Sequence, residues 1–391
     1  MSASLSQYNR LSAFLHALAA EVRRAPSLPA LEEALAARGY GAVWRAAHVR
    51  PPADADLHLH TNVSDGVMSP AEVIRAAAVL GLKAAGIVDH DSVDGLAEAH
   101  AEAQLTGLAF WPGLEFSTGR PGCEILLYWP CADKALSFLA DPAAERLHRY
   151  LETVQARVHA DAEAVIGPVN DFLRSLDPGK ERTVSLADLD RWYRGRLPYY
   201  PGTLCVLALA LLTPEERERT GIHDPRQFNT AVVTPALGRR APADRLAEVL
   251  EMVACLRRTR PPCLAVLAHP RELLTKGGMT PAALEEFVLS LAGPDGLDGL
   301  EVNNSRDGEK DTEAWLGLLA HVNENRAAQG LRPWLGFSHS SDAHVLAPGT
   351  ATGELTIGYG LLDERPAHRG GNLRPQKSWA AFAAEVEAAL A

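Results

Sequence analysis

The chain has 391 residues, 47% of them hydrophobic and 22% charged, a globular balance that excludes the disordered and fibrous classes. Its formal net charge of -11 argues against a surface that coats nucleic acid, since such a surface needs an excess of Lys and Arg. No apolar run approaches the ~20 residues of a membrane-spanning helix, and five cysteines without C-x-x-C spacing indicate reduced thiols in a cytoplasmic protein.

The first predicted element is a helical extension over residues 1–50, rich in Ala and Leu, that ends before Pro51-Pro52. From residue 54 short apolar runs alternate with helical segments, which is the pattern of a parallel α/β domain. Ser69-Pro70-Ala71-Glu72 indicates the start of its first helix, with an N-cap, a first-turn proline and a capping-box glutamate. The predicted strands are Ala55–His60, Ala84–Val88, Leu108–Phe116, Glu124–Trp129, Cys263–Ala268, Gly299–Asn303 and Trp334–Phe337.

Residues 132–258 interrupt the α/β pattern. They are rich in Ala, Leu, Arg and Glu at helical spacing, so we predict a mostly helical insertion between barrel segments 54–131 and 259–391. We expect this insertion to cover the pocket and to set substrate selectivity. Its aromatic residues could either stack a base or pack in a core, and they are Trp192, Tyr193, Tyr199 and Tyr200.

Polar side chains follow the ends of most predicted strands. Because the carboxyl ends of parallel strands converge on one face, such residues should meet in one pocket. The set contains five imidazoles and three carboxylates: His58, His60, His90, His269, His344, Asp65, Glu115 and Asp342. This mixture suits Zn, Mn or Fe better than Ca or Mg, and it is too large for one ion. The sequence therefore predicts two or three divalent metals.

Two short spacings support the metal site. In His58-x-His60 both imidazoles can face one ion while Leu59 faces the core, because alternate residues of a strand point the same way. Asp342-x-His344 repeats this spacing at another strand end. These residues alone indicate a metal-dependent hydrolase and leave open whether it cleaves phosphoester, amide or lactone bonds.

Five motifs occur in a fixed order: D-L-H-L-H-T-N-V-S-D-G, G-I-V-D-H-D, G-L-E-F-S, A-H-P and S-D-A-H. Over residues 54–131 and 262–345 the chain resembles the PHP (polymerase and histidinol phosphatase) family of metal-dependent phosphoesterases. The resemblance implies an α/β fold, a distorted (β/α)7 barrel, with a trinuclear metal centre that hydrolyses phosphate monoesters or diesters by activated water. The implied ligands are His58, His60, Asp65, His90, Glu115, His269, Asp342 and His344. Asp65, His90, His269 and Arg271 are the expected catalytic residues.

Glu124 departs from the family pattern, which usually has a histidine at this position. A carboxylate can still ligate or bridge, and it would favour harder ions such as Mn, so we retain Glu124 as a ligand. The alternative is an outward-facing carboxylate at a strand edge. This departure is also the feature that favours an inactive metal-binding scaffold. The other rival function, a barrel hydrolase of amide or lactone bonds, usually recruits a bridging lysine, and no lysine ends a strand here.

Arg271 follows His269-Pro270 and is a candidate phosphate clamp, since a guanidinium group can donate two parallel hydrogen bonds to two oxygens of one phosphate. Lys276 and Arg306 are weaker candidates for the same role. The expected substrate is a small phosphorylated molecule, a nucleotide or a short oligonucleotide. We expect no membrane partner and no stable nucleic-acid complex, and the sequence does not fix the oligomeric state.

Five further polar residues near strand ends leave their roles open. Asp89 and Asp91 flank His90 and either orient it or cap a helix. Glu301 and Asn303 either contact substrate or make structural hydrogen bonds. His339 either transfers a proton or is simply packed.

Overall fold

A computed structural model describes residues 2–193, 195, 198–238, 244–258, 261–346 and 354–390. The chain divides into two compact units. The first comprises Met1–Thr61, Gly66–Ala144 and Ala243–Ala391, and the second comprises Asn62–Asp65 and Glu145–Pro242. Among the described residues no helix is both long enough and apolar enough to cross a membrane.

The first unit contains a seven-stranded sheet whose strands follow one another in chain order. All seven strands are short and mostly buried, so their apolar side chains form a core between the sheet and its helices. The strands are β1 Ala55–Leu59, β2 Ala84–Ile87, β3 Ala109–Ser117, β4 Glu124–Tyr128, β5 Leu264–Leu267, β6 Gly299–Glu301 and β7 Leu335–Phe337. A separate antiparallel pair comprises β8 Glu354–Thr356 and β9 Gly360–Leu362.

Neighbouring strands are parallel except around β4, which pairs antiparallel with both β3 and β5. The two ends of the sheet are joined by hydrogen bonds. Leu57 N–H donates to His339 O at 2.6 Å, and His60 N–H donates to Ala343 O at 3.0 Å. This closure makes the first unit a distorted (β/α)7 barrel and confirms the predicted fold class.

The predicted capping box at Ser69 is confirmed, since Ser69 Oγ accepts from Glu72 N–H and Ser69 N–H donates to the Glu72 carboxylate. Besides one 3-10 helix and one π-helix, seventeen α-helices are present among the described residues. In chain order they are α1 Ser2–Val22, α2 Leu28–Ala37, α3 Ala42–His48, α4 Pro70–Val79, α5 Leu96–Thr106, α6 Ala132–Leu139, α7 Glu145–Leu176, α8 Leu186–Tyr193, α9 Pro201–Ala210, α10 Pro214–Thr220, α11 Pro225–Phe228, α12 Thr234–Leu237, α13 Leu246–Arg257, α14 Arg271–Thr275, α15 Pro281–Ser290, α16 Glu309–Ala328 and α17 Trp379–Leu390.

The second unit is helical and has its own apolar core. Tyr193 is fully buried there, and its hydroxyl donates to Ser64 O at 3.0 Å. The rings of Tyr193 and Tyr199 stack with centroids 5.4 Å apart, and Tyr200 is also buried. Trp192 packs against the same core. These contacts support core packing rather than base stacking for the aromatic residues.

Gly122 lies in the turn between β3 and β4, where the chain approaches α14 closely. Its φ is +72°, and a Cβ there would lie 2.2 Å from the carbonyl oxygen of Glu272. We expect Gly122→Ala to reduce the free energy of unfolding by about 3 kcal/mol, because left-handed strain and steric overlap add. Urea denaturation followed by circular dichroism measures this change.

Gly107 provides a matched control, because it has the same φ of +72° and nothing lies within 4 Å of its Cβ position. Gly107→Ala should reduce the free energy of unfolding by only about 1 kcal/mol, the strain contribution alone. Equal losses in the two variants would show that the close approach to α14 contributes nothing.

Candidate metal centre

Strand β1 presents two histidines to the same pocket. The Nε2 atoms of His58 and His60 lie 3.1 Å apart, and both side chains are buried. Leu59 between them is buried as well. The two imidazoles thus converge as the H-x-H spacing predicts, because alternate residues of a strand face one side.

Two carboxylates from other parts of the sheet meet these imidazoles. Glu115 in β3 places Oε2 3.2 Å from the Nε2 atoms of both His58 and His60. Asp342, which follows β7, places Oδ1 3.4 Å from His58 Nε2 and 3.2 Å from His60 Nε2. The ends of β1, β3 and β7 therefore bring together residues that are distant in sequence.

The spacing of these four atoms tests whether the site fits a metal ion. Tetrahedral Zn²⁺ with ligands at ~2.05 Å has ligand atoms about 3.3 Å apart. The five separations given above range from 3.1 to 3.4 Å. Two nitrogens and two oxygens, all buried, therefore have the spacing and the chemistry that one divalent cation requires.

Glu115 also belongs to a second group of potential ligands. Its Oε1 lies 3.1 Å from His269 Nε2, and Glu124 Oε2 lies 3.2 Å from the same nitrogen. Because the two oxygens of Glu115 face different imidazoles, this carboxylate belongs to both groups of potential ligands. The potential ligand atoms of Glu115, Glu124 and His269 lie within 4.8 Å of one another.

Glu124 reaches this group because β4 is antiparallel. In the β3–β4 register Ser117 pairs with Glu124, so the first residue of β4 lies beside the last residue of β3. The amino end of β4 is therefore at the edge where the parallel strands end. This position favours Glu124 as a ligand over the strand-edge alternative.

A third group is formed by three histidines. The ring of His60 stacks on His90 with centroids 4.7 Å apart and on His344 with centroids 4.3 Å apart. Potential ligand atoms of all three lie within 4.8 Å of one another. Asp65 lies in the segment Asn62–Asp65, which belongs to the second unit. Its predicted role as a ligand stays a prediction.

The backbone is strained at three positions of the pocket. Asp91, His269 and Asp342 are the non-glycine residues with positive φ in the described part of the chain, at 45°, 23° and 56°. Such conformations cost of order 1–3 kcal/mol each and are concentrated at functional sites. His269 and Asp342 are also potential metal ligands, so the strained backbone coincides with the candidate site.

Close carboxylates determine the charge of the buried histidines. Burial would lower the pKa of His58, but the carboxylates of Glu115 and Glu301 outweigh it and raise the pKa to about 10. Burial raises the pKa of Glu115, and the neighbouring His58 and His90 outweigh this and hold it well below its usual value. The cluster is therefore a buried network of ion pairs between imidazoles and carboxylates.

Glu301 contacts two members of the cluster from behind. Its Oε1 lies 2.8 Å from His58 Nδ1, and its Oε2 accepts from the His269 backbone N–H at 2.7 Å. The carboxylate is fully buried. A hydrogen bond to Nδ1 leaves Nε2 of His58 as the ligand atom. The sequence leaves open whether Glu301 contacts substrate or makes a structural hydrogen bond. These contacts favour the structural hydrogen bond.

The two aspartates beside His90 hold the backbone of neighbouring segments. Asp89 accepts from Thr61 N–H and Thr61 Oγ1, each at 2.7 Å. Asp91 accepts from Ser117 N–H at 3.2 Å. Helix α5 begins at Leu96 after Gly95, so the alternative that these aspartates cap this helix is wrong.

The three cationic candidates have different surroundings. Arg271, the first residue of α14, donates to Arg306 O, and 42% of its side chain is exposed. Lys276 pairs with Glu272 at 2.5 Å and is 60% exposed. Arg306 instead pairs with Asp342, a member of the first group. The clamp roles of Arg271, Lys276 and Arg306 stay predictions.

His339 and Asn303 are both buried, and each has structural partners. His339 Nε2 lies 3.6 Å from Asp54 Oδ1, and its ring packs against Phe382 in α17. Asn303 donates to Thr312 Oγ1 at 3.0 Å and accepts from Arg374 N–H at 2.5 Å. These contacts favour packing over proton transfer for His339, and a structural hydrogen bond over substrate contact for Asn303.

Sequence reasoning missed Glu272, which lies on α14 three residues after His269. The side chain is nearly fully buried, and Oε2 lies 3.6 Å from His269 Nδ1. A carboxylate three residues from a ligand on a helical turn is the signal that could have found it.

Part of the chain matches a known domain. The model of the PHP domain matches residues 56–174. A 3',5'-nucleoside bisphosphate phosphatase of Chromobacterium violaceum is 45% identical over 65 residues, 17% of this chain and 23% of that protein. The 5'-3' exoribonuclease Rnm of Escherichia coli is 26% identical over 174 residues, 40% of this chain and 59% of that protein. The match thus spans less than two thirds of either relative.

A solved structure described as an amidohydrolase from Chromobacterium violaceum is 22% identical and covers 74% of this chain and 88% of its own, with a TM-score of 0.49. The motifs that carry the sequence resemblance begin at Asp56, where the family match begins. The same motifs contribute the residues that converge in the pocket. Over residues 56–174 the chain is therefore similar to the PHP domain.

Proposed function

We propose that the protein is a metal-dependent phosphoesterase that uses two to three divalent ions to hydrolyse a phosphate monoester or diester. The observation that carries this proposal is the buried set of His58, His60, Glu115 and Asp342, whose donor atoms have the spacing of a metal site. The relatives named above are a phosphatase and an exoribonuclease, and both names describe phosphoester cleavage.

The chain offers ligands for more than one ion. In our proposal His58, His60, Glu115 and Asp342 hold the first ion, and the second is held by Glu115, Glu124 and His269. His90, His344 and Asp65 would complete a third site. Mn, Zn and Fe all suit these mixed nitrogen and oxygen donors, and the carboxylate of Glu124 favours Mn.

The ions would supply hydroxide near neutral pH and would neutralise charge on the phosphoryl oxygens. The residues of the chain supply placement. Glu301 orients His58 through its Nδ1 atom, and Glu115 joins the two groups through its two oxygens. Arg271 keeps 42% of its side chain exposed, so its guanidinium is accessible to a substrate phosphate.

The proposed substrate is a small phosphorylated molecule, with a nucleoside bisphosphate or a short oligonucleotide as the first choices. Both follow from the names of the relatives rather than from any contact in the pocket. A cytoplasmic location and the absence of a stable nucleic-acid complex belong to the same proposal.

The test is a substrate panel with purified protein loaded with Mn²⁺, Zn²⁺ or Fe²⁺. It comprises p-nitrophenyl phosphate, bis-p-nitrophenyl phosphate, a nucleoside 3',5'-bisphosphate and a short 5'-phosphorylated oligoribonucleotide, beside an amide and a lactone. We expect turnover of at least one phosphoester, and we expect EDTA to abolish it. Turnover of the amide or lactone alone would favour the rival barrel hydrolase. Failure of the metal-loaded protein to turn over any phosphoester would overturn the proposal.

A further inference from the structure

Arg306 lies in the loop after β6 and connects two buried carboxylates. Its Nε lies 2.9 Å from Glu272 Oε1, and its Nη1 pairs with Asp342 Oδ2. The Arg306 side chain is 21% exposed, whereas those of Glu272 and Asp342 are 5% and 3% exposed. Breaking an ion pair with so little exposure to solvent costs more free energy than breaking an ion pair on an open surface.

The two carboxylates are associated with different ligand groups. Asp342 directs Oδ1 at the nitrogens of His58 and His60, while its Oδ2 faces Arg306. Glu272 directs Oε1 at Arg306, while its Oε2 lies 3.6 Å from His269 Nδ1. The guanidinium thus links the first group to the second, in addition to the bridge through Glu115.

The loop that carries Arg306 is itself fixed to the cluster. Asn304 Oδ1 accepts from the Arg306 backbone N–H at 3.2 Å, and Asn304 Nδ2 donates to Glu301 Oε2 at 3.0 Å. Asn304 N–H also donates to Asp307 Oδ2 at 2.9 Å. The backbone of Arg306 is therefore held by hydrogen bonds that do not involve its own side chain.

We propose that Arg306 is a positioning residue, which sets the distance between the two ligand groups by fixing Asp342 and, through Glu272, His269. This inference deepens the proposed function and rests on it. The planar guanidinium presents several N–H donors in a fixed arrangement, whereas the lysine ammonium is a single point of charge. Contact with both Glu272 and Asp342 requires the planar shape of the guanidinium as well as its charge.

The experiment measures Mn²⁺ binding by isothermal titration calorimetry, beginning from metal-free protein. We expect Arg306→Met to raise the dissociation constant about 10- to 100-fold, the range for residues that orient metal ligands. Arg306→Lys should lose nearly as much affinity for Mn²⁺, because one ammonium group cannot replace the contacts with both Glu272 and Asp342. Glu272→Gln should weaken binding in the same direction, and the double variant should lose less than the sum of the single losses.

Arg257 provides the matched control. It pairs with Asp298 in the same unit, and its side chain is 20% exposed, close to the value for Arg306. Arg257→Met should lower the free energy of unfolding and leave the dissociation constant for Mn²⁺ unchanged. Circular dichroism confirms that each variant is folded before titration.

Three outcomes would overturn the inference. The first is a dissociation constant for Arg306→Met and Glu272→Gln within about twofold of wild type, which is well below the range expected for orienting residues. The second is an equal weakening in Arg257→Met, which would mean that any lost ion pair has this effect. Both leave the proposed function intact if wild type binds Mn²⁺. The third, wild-type protein that binds neither Mn²⁺ nor Zn²⁺, would overturn the proposed function together with this inference.

Discussion

Replacing His58 with alanine will strip metal from the purified protein and reduce phosphoester turnover by about 10³-fold, equivalent to roughly 4 kcal/mol of transition-state stabilisation. The reason is geometric: His58 Nε2 lies within 3.4 Å of donor atoms from His60, Glu115 and Asp342. Without that nitrogen the first group loses one of its four donors. Elemental analysis by mass spectrometry gives metal per chain, and initial rates on the best substrate of the panel give turnover.

The controls separate metal loss from misfolding. His321→Ala removes a histidine that pairs with Glu285 and is 45% exposed, so metal content and turnover should stay at wild-type values. His60→Ala is a second test, because it removes a ligand without removing the partner of Glu301. Full activity with normal metal content in His58→Ala would refute the ligand assignment.

The next largest effect is expected from Glu301→Gln, which should weaken metal binding about 10- to 100-fold, as for other groups that orient ligands. One oxygen of Glu301 faces His58 Nδ1, and the other accepts from the His269 backbone N–H. An amide has only one oxygen, so its NH2 group must face one of these donors. One of the two ligands therefore loses its hydrogen bond, and the buried N–H left behind adds a further cost.

Glu102→Gln is the matched control for Glu301→Gln. Glu102 is buried in the same unit, and its carboxylate accepts from Arg75 Nη1 at 3.3 Å. We expect this variant to lose stability in urea and to keep the affinity for Mn²⁺ measured by calorimetry. Equal losses of affinity in both variants would show that the loss of any buried carboxylate, not of Glu301 in particular, weakens metal binding.

Much of the site follows from the strand pattern. His58, His60, Glu115, His269 and Asp342 were all identified from their places at strand ends, and the structure brings them together. This works because parallel strands share a direction, so the end of each apolar run identifies one edge of the sheet. The capping box at Ser69 and Glu72 was equally readable, since it depends on residues three positions apart.

Other features depend on contacts that a linear pattern does not encode. Glu124 stands at the start of its strand, and only the antiparallel pairing of β3 with β4 places it at the edge where the other strands end. Arg306 and Glu272 are separated by a helix and a strand, so their ion pair has no signature in sequence spacing. The role of Glu301 is open in the sequence, because strand alternation places it on the same side as Asn303 but does not show whether it contacts substrate or the protein.

The hydrogen bonds that close the barrel determine when the metal centre can exist. They join β1 to the segment after β7, and the first ligand group joins His58 and His60 to Asp342 across the same seam. A chain under synthesis therefore cannot assemble this group until Asp342 has emerged from the ribosome. An ion held by this group would enter late, after most of the chain has been made.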